Sequence, residues 1–321
     1  MIDFLCLLKK YIKVLFRELE SFFLVISCFI CLLFKKKYII VSAWCKYNHL
    51  GLIKKDKLIH NNWGDDINVY FLELISGKKV LIYPDTRISR MLKKFLRPKC
   101  LFFIGSVLTD FSLEKSIVAG SGIMNDKIEY SISGNPSCIH FVRGPLTRKI
   151  LIDKGIKCPE KYGDPALLLP CFYTPKKKKN YKIGFIPHYQ DYQSEFFVNI
   201  FGKSKDNDFC FIKMRDYFVW TDVIDDITSC DFIISSSLHG LIISETYNIP
   251  SAWVHFGQYV DGWDFKFYDF YYSIGKKYIK PIDLYSVSQL WDMYEHRDNW
   301  KKGEINYTEL IDTCKNIGLI K

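Results

Sequence analysis

The segment Asp231-Phe-Ile-Ile-Ser-Ser-Ser-Leu-His-Gly-Leu-Ile-Ile-Ser-Glu245 decides the fold. Its first four residues form a short apolar run of the kind that makes a buried strand. A turn of small polar residues follows, and the apolar positions then resume at helical spacing. A helix that opens directly after a strand points its first backbone N–H groups, and the positive end of its dipole, at whatever lies beyond the strand. The serines add hydroxyl donors, Gly240 allows close backbone approach, and His239 titrates near neutral pH. The segment therefore reads as an anion site with an acid beside it. The alternative is a capped helix start with a packed histidine.

Further short apolar runs lie on either side. Before the segment they are Tyr38–Trp44, Val80–Tyr83, Leu101–Ile104, Ser116–Ala119, Cys138–Val142, Lys182–Ile186 and Phe209–Ile212; after it comes Pro250–Val254. Helical stretches are expected between several of them, at Asp66–Leu74 and from Arg143 through Leu151, with Gly155 as a stop. Strands alternating with helices mean βαβ units, parallel sheets and an α/β fold. The turn-rich Tyr162–Ala166 and the basic Lys176–Lys179 divide the series. The expected organisation is thus an apolar and basic helical extension over 1–37, a Rossmann-like domain over 38–175 and a second over 176–321. The stretch Val287–Leu319 is read as helical and closing the second domain. Ligands of such sheets sit beyond the carboxyl ends of the strands, so the residues just after each strand are the candidates.

Asn62-Trp-Gly-Asp-Asp66 lies between the first strand and the first helix. One aspartate reads as a helix N-cap, and the other is left as a carboxylate able to serve as general base. Arg143 follows a strand at a helix start with Pro145 beside it, where a positive charge opposes the helix dipole unless an anion sits nearby. It is read as a bidentate anion ligand. His188 is a further candidate, and Lys266 sits among aromatics. Gly120-Ser121-Gly122 ends a strand but lacks the third glycine and acidic partner of a dinucleotide fingerprint. Asp206-Asn-Asp208 falls in a polar loop and is not read as a metal site. No Walker loop, nucleophile elbow or zinc spacing is present, so no metal or cofactor is expected.

Lys+Arg (45) exceed Asp+Glu (35), for a formal charge of +10. Basic residues do not interleave with aromatics as a nucleic-acid surface requires, so nucleic acid is not an expected partner. Part of the excess lies in the amino-terminal segment. There Ile2, Leu5, Leu8, Ile12, Leu15 and Phe16 fall near one helical face, Lys9, Lys10, Lys13 and Arg17 lie between or opposite, and the apolar run Phe22–Phe34 is closed by Lys35–Lys37. This thirteen-residue run, with Ser27 inside it, is short of the roughly 20 residues needed to span a bilayer. The readings are a membrane-surface or re-entrant anchor, a short tilted span, or a helical hairpin packed on the body, and the first is favoured. Eleven scattered cysteines, with one C-x-x-C (Cys28, Cys31) inside the apolar run, read as buried thiols of a reducing compartment. The expected location is cytoplasmic, at the inner membrane face.

Taken in order, Asn62-x-Gly-Asp65, Gly120-Ser-Gly122, Val142-Arg-Gly-Pro-Leu-Thr147, Gly163-Asp-Pro165, Ile186-Pro-His188, Ser237-Leu-His-Gly240, Pro250 and Lys266 resemble the polysaccharide pyruvyl transferase family, from about Tyr38 to Gly275. The resemblance implies a GT-B-like fold, with two Rossmann-like domains facing a central cleft. It also implies transfer of the pyruvyl group of phosphoenolpyruvate to a sugar of a cell-surface polysaccharide or its lipid-linked precursor, closing a ketal. Phosphoenolpyruvate is then a donor substrate and not a cofactor. The site implied has His239 as acid, Asp65 as base and Arg143 and Lys266 assisting phosphate. Ser236, Ser237, Gly240, Gly120, Ser121, Gly122, His188 and Glu245 bind substrate, Glu245 by orienting His239 or a lysine, with a solvated helix face as its alternative. A GT-B glycosyltransferase using a nucleotide sugar, and a non-catalytic scaffold of a polysaccharide assembly complex, are the competing expectations.

Overall fold

A computed structural model of the chain describes residues 38–47, 58–83, 98–126, 132–176, 178–188, 191–192, 208–256 and 264–321. It also describes positions 86, 88–89, 91–92, 9–12, 14–16, 18–19, 21–23, 25–26 and 30. The apolar, β-branched runs become strands that pair in parallel. In the first half these are β1 (Tyr38–Val41), β4 (Lys79–Ile82), β5 (Leu101–Phe102), β6 (Ile117–Ala119) and β7 (Cys138–Phe141), in the order β4-β1-β5-β6-β7. In the second half β8 (Tyr181–Ile186), β9 (Phe209–Phe211), β10 (Cys230–Ser235), β11 (Ser251–His255) and β12 (Ile282–Asp283) are ordered β12-β11-β10-β8-β9. A two-residue antiparallel pair, β2 (Lys46–Tyr47) with β3 (Leu58–Ile59), sits apart. The sequence reading had not included this pair or β12.

Each five-stranded sheet has the same internal order, 2-1-3-4-5. The chain steps to one side of its first strand and then crosses to the other. The crossing points lie between β1 and β5 and between β8 and β10, and a sheet of this kind opens a crevice for ligands there. The helices are α1 (Trp63–Ser76), α2 (Pro145–Asp153), α3 (Trp220–Thr228), α4 (Leu238–Thr246), α5 (Phe265–Ser273), α6 (Val287–Glu295) and α7 (Tyr307–Asn316), with a 3₁₀ turn at Pro165–Cys171. Pro145 is the first residue of α2, where its missing N–H costs nothing.

The strand pleat sorts side chains into three apolar layers. Val41, Ala119 and Ile233 face a core shared by both halves, together with α1, α4 and the 3₁₀ turn. Their neighbours Ile40 and Val118 face a second core beneath the first sheet. Phe232 and Ile234 join Leu290 of α6 in a third. Alternate residues on opposite faces, both faces buried, explain why these strands read as unbroken apolar runs.

Lys176, Lys178 and Lys179 of the connecting stretch are exposed, and Lys177 lies outside the described residues. The carboxyl-terminal stretch differs from the expectation that it closes the second half. α6 does so, but α7 returns to the first, where Glu309 meets Lys161 at 3.3 Å, Leu310 packs over Gly163 and the Lys321 amide donates to the Ile75 carbonyl. At the amino end the described positions between 9 and 30 are helical. Ser21 and Val25 are buried, and Glu18 accepts from the Ile88 amide at 3.0 Å. Ile12, Leu15, Phe16, Leu19, Phe23 and Ile30 are exposed. Tyr11, Val14 and Phe22 are exposed as well. No helix among the described residues is long and apolar enough to cross a membrane. Ile2, Leu5, Leu8, Lys13, Arg17, Cys28, Cys31, Lys35–Lys37, Asp206 and Asn207 lie outside the described residues. The eight described cysteines are free thiols.

Gly120 shows how tightly the first sheet meets the 3₁₀ turn. Its φ is +110°, and a Cβ there would stand 2.3 Å from the Pro165 ring and 3.0 Å from Phe141. Gly120→Ala is expected to lower stability by about 1–3 kcal/mol, through strain and overpacking. A urea midpoint that falls with an unchanged m-value would register it.

Candidate active site

A pocket of about 420 Å³ opens where the two strand crossings meet. Trp44 and Gly105 come from the β1 and β5 ends, and His188, Ser237 and His239 from the β8 and β10 ends. Asn62 and Asp65 lie at the start of α1, while Arg215 and Lys266 arrive from the loop after β9 and from α5.

The start of α1 is built by Asn62, and not by an aspartate as the sequence suggested. Asn62 is extended, its side-chain oxygen accepts from the Gly64 amide at 3.2 Å, and its Nδ2 donates to Asp65 Oδ2 at 2.6 Å. Both aspartates then fall in the first helical turn, where the dipole favours negative charge. Asp66 turns inward, fully buried, and accepts from the Tyr217 hydroxyl at 2.9 Å. Asp65 faces the pocket. Burial first, and then the charge of Asp66, lift its carboxyl to about 7. Burial lifts Asp66 to about 6.

The start of α4 is tied by Ser235, whose hydroxyl accepts from the Ser237 amide at 3.0 Å and lies 2.9 Å from the Ile186 carbonyl. His239 projects from this turn across to α1. A Cβ on Gly64 would stand 2.0 Å from its Nδ1, so the absent side chain of Gly64 makes room for the imidazole. Trp63 meets the ring edge-on at 6.5 Å. His239 Nε2 is buried with no hydrogen-bond partner among the described residues. Burial, followed by the charges of Lys266 and Arg143, holds the ring down at about 3, so it is neutral at physiological pH. His188, lowered to about 4 by burial and then Lys266, is neutral as well.

Lys266 is buried and lowered to about 8, by burial and then by Arg143; Asp65 partly offsets this. Arg215 lines the pocket and donates through Nε to the Asn61 carbonyl at 3.0 Å. Arg143 differs from the sequence expectation. Its guanidinium is fully buried outside the lining, with Nε on Asp269 Oδ2 at 3.0 Å, Nη2 on the Ile123 carbonyl at 2.6 Å and Nη1 on the Ser106 hydroxyl. Three committed nitrogens leave no bidentate fork for a ligand, and Arg143 reaches the pocket through its charge and through Ser106.

Other expected ligand contacts are also structural. Ser236 donates to Asp191 Oδ2 at 2.7 Å and accepts from the His188 amide, and it does not line the pocket. Gly240 packs α4 on β8, with Ile186 and the Ser235 hydroxyl where a Cβ would be. Ser121 bonds the Gly105 carbonyl at 2.8 Å, Gly122 gives its Cβ space to the Arg143 guanidinium, and Gly120 packs on Pro165. Glu245 pairs with Lys276 and accepts from the Gly303 amide at 3.0 Å, so it fastens the carboxyl-terminal region and does not orient His239. The sequence reading missed Arg215, Asn62 and Trp44. Arg215 and Trp44 follow strand ends, the same signal that singled out His188.

Residues 19–254 match the family model described as polysaccharide pyruvyl transferase. The match begins inside the amino-terminal 37 residues, earlier than the resemblance drawn from motifs. An uncharacterised protein of Acanthamoeba polyphaga mimivirus is 30% identical over 181 residues, covering 52% of this chain and 58% of that protein. The succinoglycan biosynthesis protein ExoV of Rhizobium meliloti (strain 1021) is 27% identical over 232 residues, covering 68% of this chain and 63% of that protein. The chain therefore spans less than two thirds of the length of either curated relative.

The raised Asp65 carboxyl has a sign that stability can read. The folded state holds its proton up to about 7, whereas the ordinary carboxyl loses it near 3.8. The group's contribution to stability is complete below the lower value and is lost as pH rises through the upper. Asp65→Asn should therefore be more stable than the parent at about pH 8, with the advantage shrinking toward about pH 4. Denaturation midpoints across that range check it, and parallel curves for the two proteins would refute the raised carboxyl.

Proposed function

The chain belongs to the polysaccharide pyruvyl transferase family, and on that footing we propose that it transfers the pyruvyl group of phosphoenolpyruvate to a sugar of a polysaccharide or its lipid-linked precursor, closing a ketal across two hydroxyls. One observation carries the reading. Lys266 and Arg215 line the same pocket as Asp65 and His239 and as Ser237 at the start of α4. A small donor with a carboxylate and a phosphate needs such cations and oriented N–H groups. The two sheets of equal strand order support a GT-B-like arrangement with a cleft between two domains, divided near residue 175.

In the proposed chemistry the methylene carbon of phosphoenolpyruvate gains a proton, which leaves positive charge on the adjacent carbon. A sugar hydroxyl adds there and gives up its proton. Phosphate departs from the tetrahedral adduct with both electrons of its C–O bond, assisted by Lys266 and Arg215. A second hydroxyl adds to the cation so formed, loses its proton and closes the ring.

Environments that push two pKa values apart assign acid and base. In the unliganded pocket the exchangeable proton resides on Asp65, near 7, while His239 is neutral. We therefore reverse the roles expected from sequence. Asp65 protonates the methylene carbon, and the unpartnered Nε2 of His239 takes the hydroxyl proton. A weak base suffices for that step, because a hydroxyl oxygen bonding to a cationic carbon becomes strongly acidic.

Incubation with phosphoenolpyruvate and acceptor glycan should release inorganic phosphate and add pyruvate mass to the glycan. A requirement for a nucleotide sugar instead would overturn the reading. His239→Ala and Asp65→Asn should each lower turnover by roughly 10²–10⁴ with the fold intact. The parent's kcat/KM should fall above about pH 7, as Asp65 loses its proton. A limb rising through that pH would return the base role to Asp65.

We further place the protein at a membrane face. The support is the exposed apolar side chains of Ile12, Leu15, Phe16, Leu19 and Phe23, with Lys9 and Lys10 exposed near them. The full chain should float with vesicles containing anionic lipid at low salt, and a variant with Phe16, Leu19 and Phe23 changed to Ser should stay behind. Equal flotation of both proteins would exclude these side chains as the contact.

A further inference from the structure

Lys266, Arg215 and His188 line the pocket, and so does Trp44, an aromatic surface that none of the charge chemistry uses. Trp44 follows β1, lines the pocket and is 43% exposed, so part of its ring is open to a ligand.

The ring is also held still. Its Nε1 donates to Asp110 Oδ2 at 2.7 Å, and its face rests on Phe111 at 5.0 Å between centroids. Asp110 is steadied in turn by the Thr109 hydroxyl at 3.3 Å from Oδ1. An exposed, rigid indole loses little conformational entropy when something stacks on it. The charge of Asp110 reaches Asp65, adding to the rise of its carboxyl. The Trp44–Asp110 unit therefore stands close to the acid–base pair, and the charge of Asp110 repels a phosphorylated carboxylate.

We propose that Trp44 is the platform of the acceptor subsite, stacking one face of a neutral pyranose ring so that its hydroxyls point toward Asp65 and His239. The C–H groups on one face of a pyranose carry slight positive charge and suit the negative face of an indole. The ring hydroxyls suit the carboxylate of Asp110 at the platform edge. Donor and acceptor thus meet different side chains of one pocket, cationic for phosphoenolpyruvate and aromatic for the sugar. This assignment rests on the pyruvyl-transfer reading for the identity of the two substrates.

Two titrations on the full chain test it. Methyl β-D-glucopyranoside serves as the sugar probe, followed by saturation-transfer NMR, and phosphoenolpyruvate is titrated calorimetrically. The parent should saturate protons on one face of the pyranoside. Trp44→Ala should weaken its binding by about tenfold or more, as loss of a stacking face does. Trp44→Phe should keep most of it, and Trp44→Ala should still bind phosphoenolpyruvate. Absence of pyranoside binding in the parent, or equal binding in Trp44→Ala, overturns the platform, as does a matching loss of phosphoenolpyruvate affinity. If the parent binds the pyranoside through Trp44 but fails to bind phosphoenolpyruvate, the platform stands and the donor assignment falls.

Discussion

The buried pair of Arg143 and Asp269 carries the rest of the site. It joins residues 126 positions apart, one at the entry to α2 and the other in the middle of α5. Neither side chain is exposed to solvent. Removing two charges from water is costly, and such a pair is tolerated only when the remaining donors and acceptors are satisfied. Here they are. The second oxygen of Asp269 accepts from the Thr147 amide at 2.9 Å, the first also accepts from the Thr147 hydroxyl at 2.7 Å, and Arg143 spends its other nitrogens on Ser106 and Ile123. Two glycines admit the arrangement: a Cβ on Gly122 would strike the guanidinium, and one on Gly144 would strike the Asp269 backbone. Loss of one partner of a buried pair costs about 3–5 kcal/mol. The seat of α5, and with it Lys266, is fixed by this contact.

The electrostatics of the pocket follow from that seat. Lys266 is placed under the influence of Arg143, which together with burial lowers its affinity for a proton. The same two cations help to keep His239 neutral, and Lys266 does so for His188. Burial and Asp66 meanwhile keep a proton on Asp65. Each group departs from its ordinary value because it is buried and its neighbours are charged. An anionic ligand would relieve the strain among the cations, a reason for it to bind there.

How much of this could be read from the chain depended on the reach of each signal. A strand such as Tyr38–Val41 or Cys230–Ser235 is encoded in its own apolar and β-branched residues, so the nine longer runs were legible. The two-residue β2, β3 and β12 carry too little pattern to read. His239 and His188 were visible because a site in a parallel sheet must follow a strand, and Asp65 because its motif opens the first helix. Arg143 was visible as a positive charge at a helix start in need of an anion, but the anion it found, Asp269, lies in another helix and leaves no mark near Arg143. Glu245 likewise met Lys276, and not a ligand, across 31 residues. The formal charge suggested a partner class, whereas its placement matters more: many of the lysines decorate exposed connectors, and few cations enter the pocket.

A second tie meets α1 from the loop after β9. The Trp63 amide donates to the Met214 carbonyl at 2.7 Å, the Asp216 amide to His60 at 2.8 Å, and the Trp63 indole to the Trp220 carbonyl at 2.8 Å. Tyr217 reaches Asp66, and its ring stacks on His60 at 4.1 Å. Arg215 is carried into the pocket by this loop. The two halves are therefore fastened at α1 as well as at Arg143–Asp269. Separating them would strand several buried donors, each costing of the order of 1–3 kcal/mol, and a buried charge pair, costing more. Such a site holds Asp65, His239 and the cations in place before any ligand arrives. Under the proposed chemistry its advantage would come from preorganised charge and not from closure of two domains.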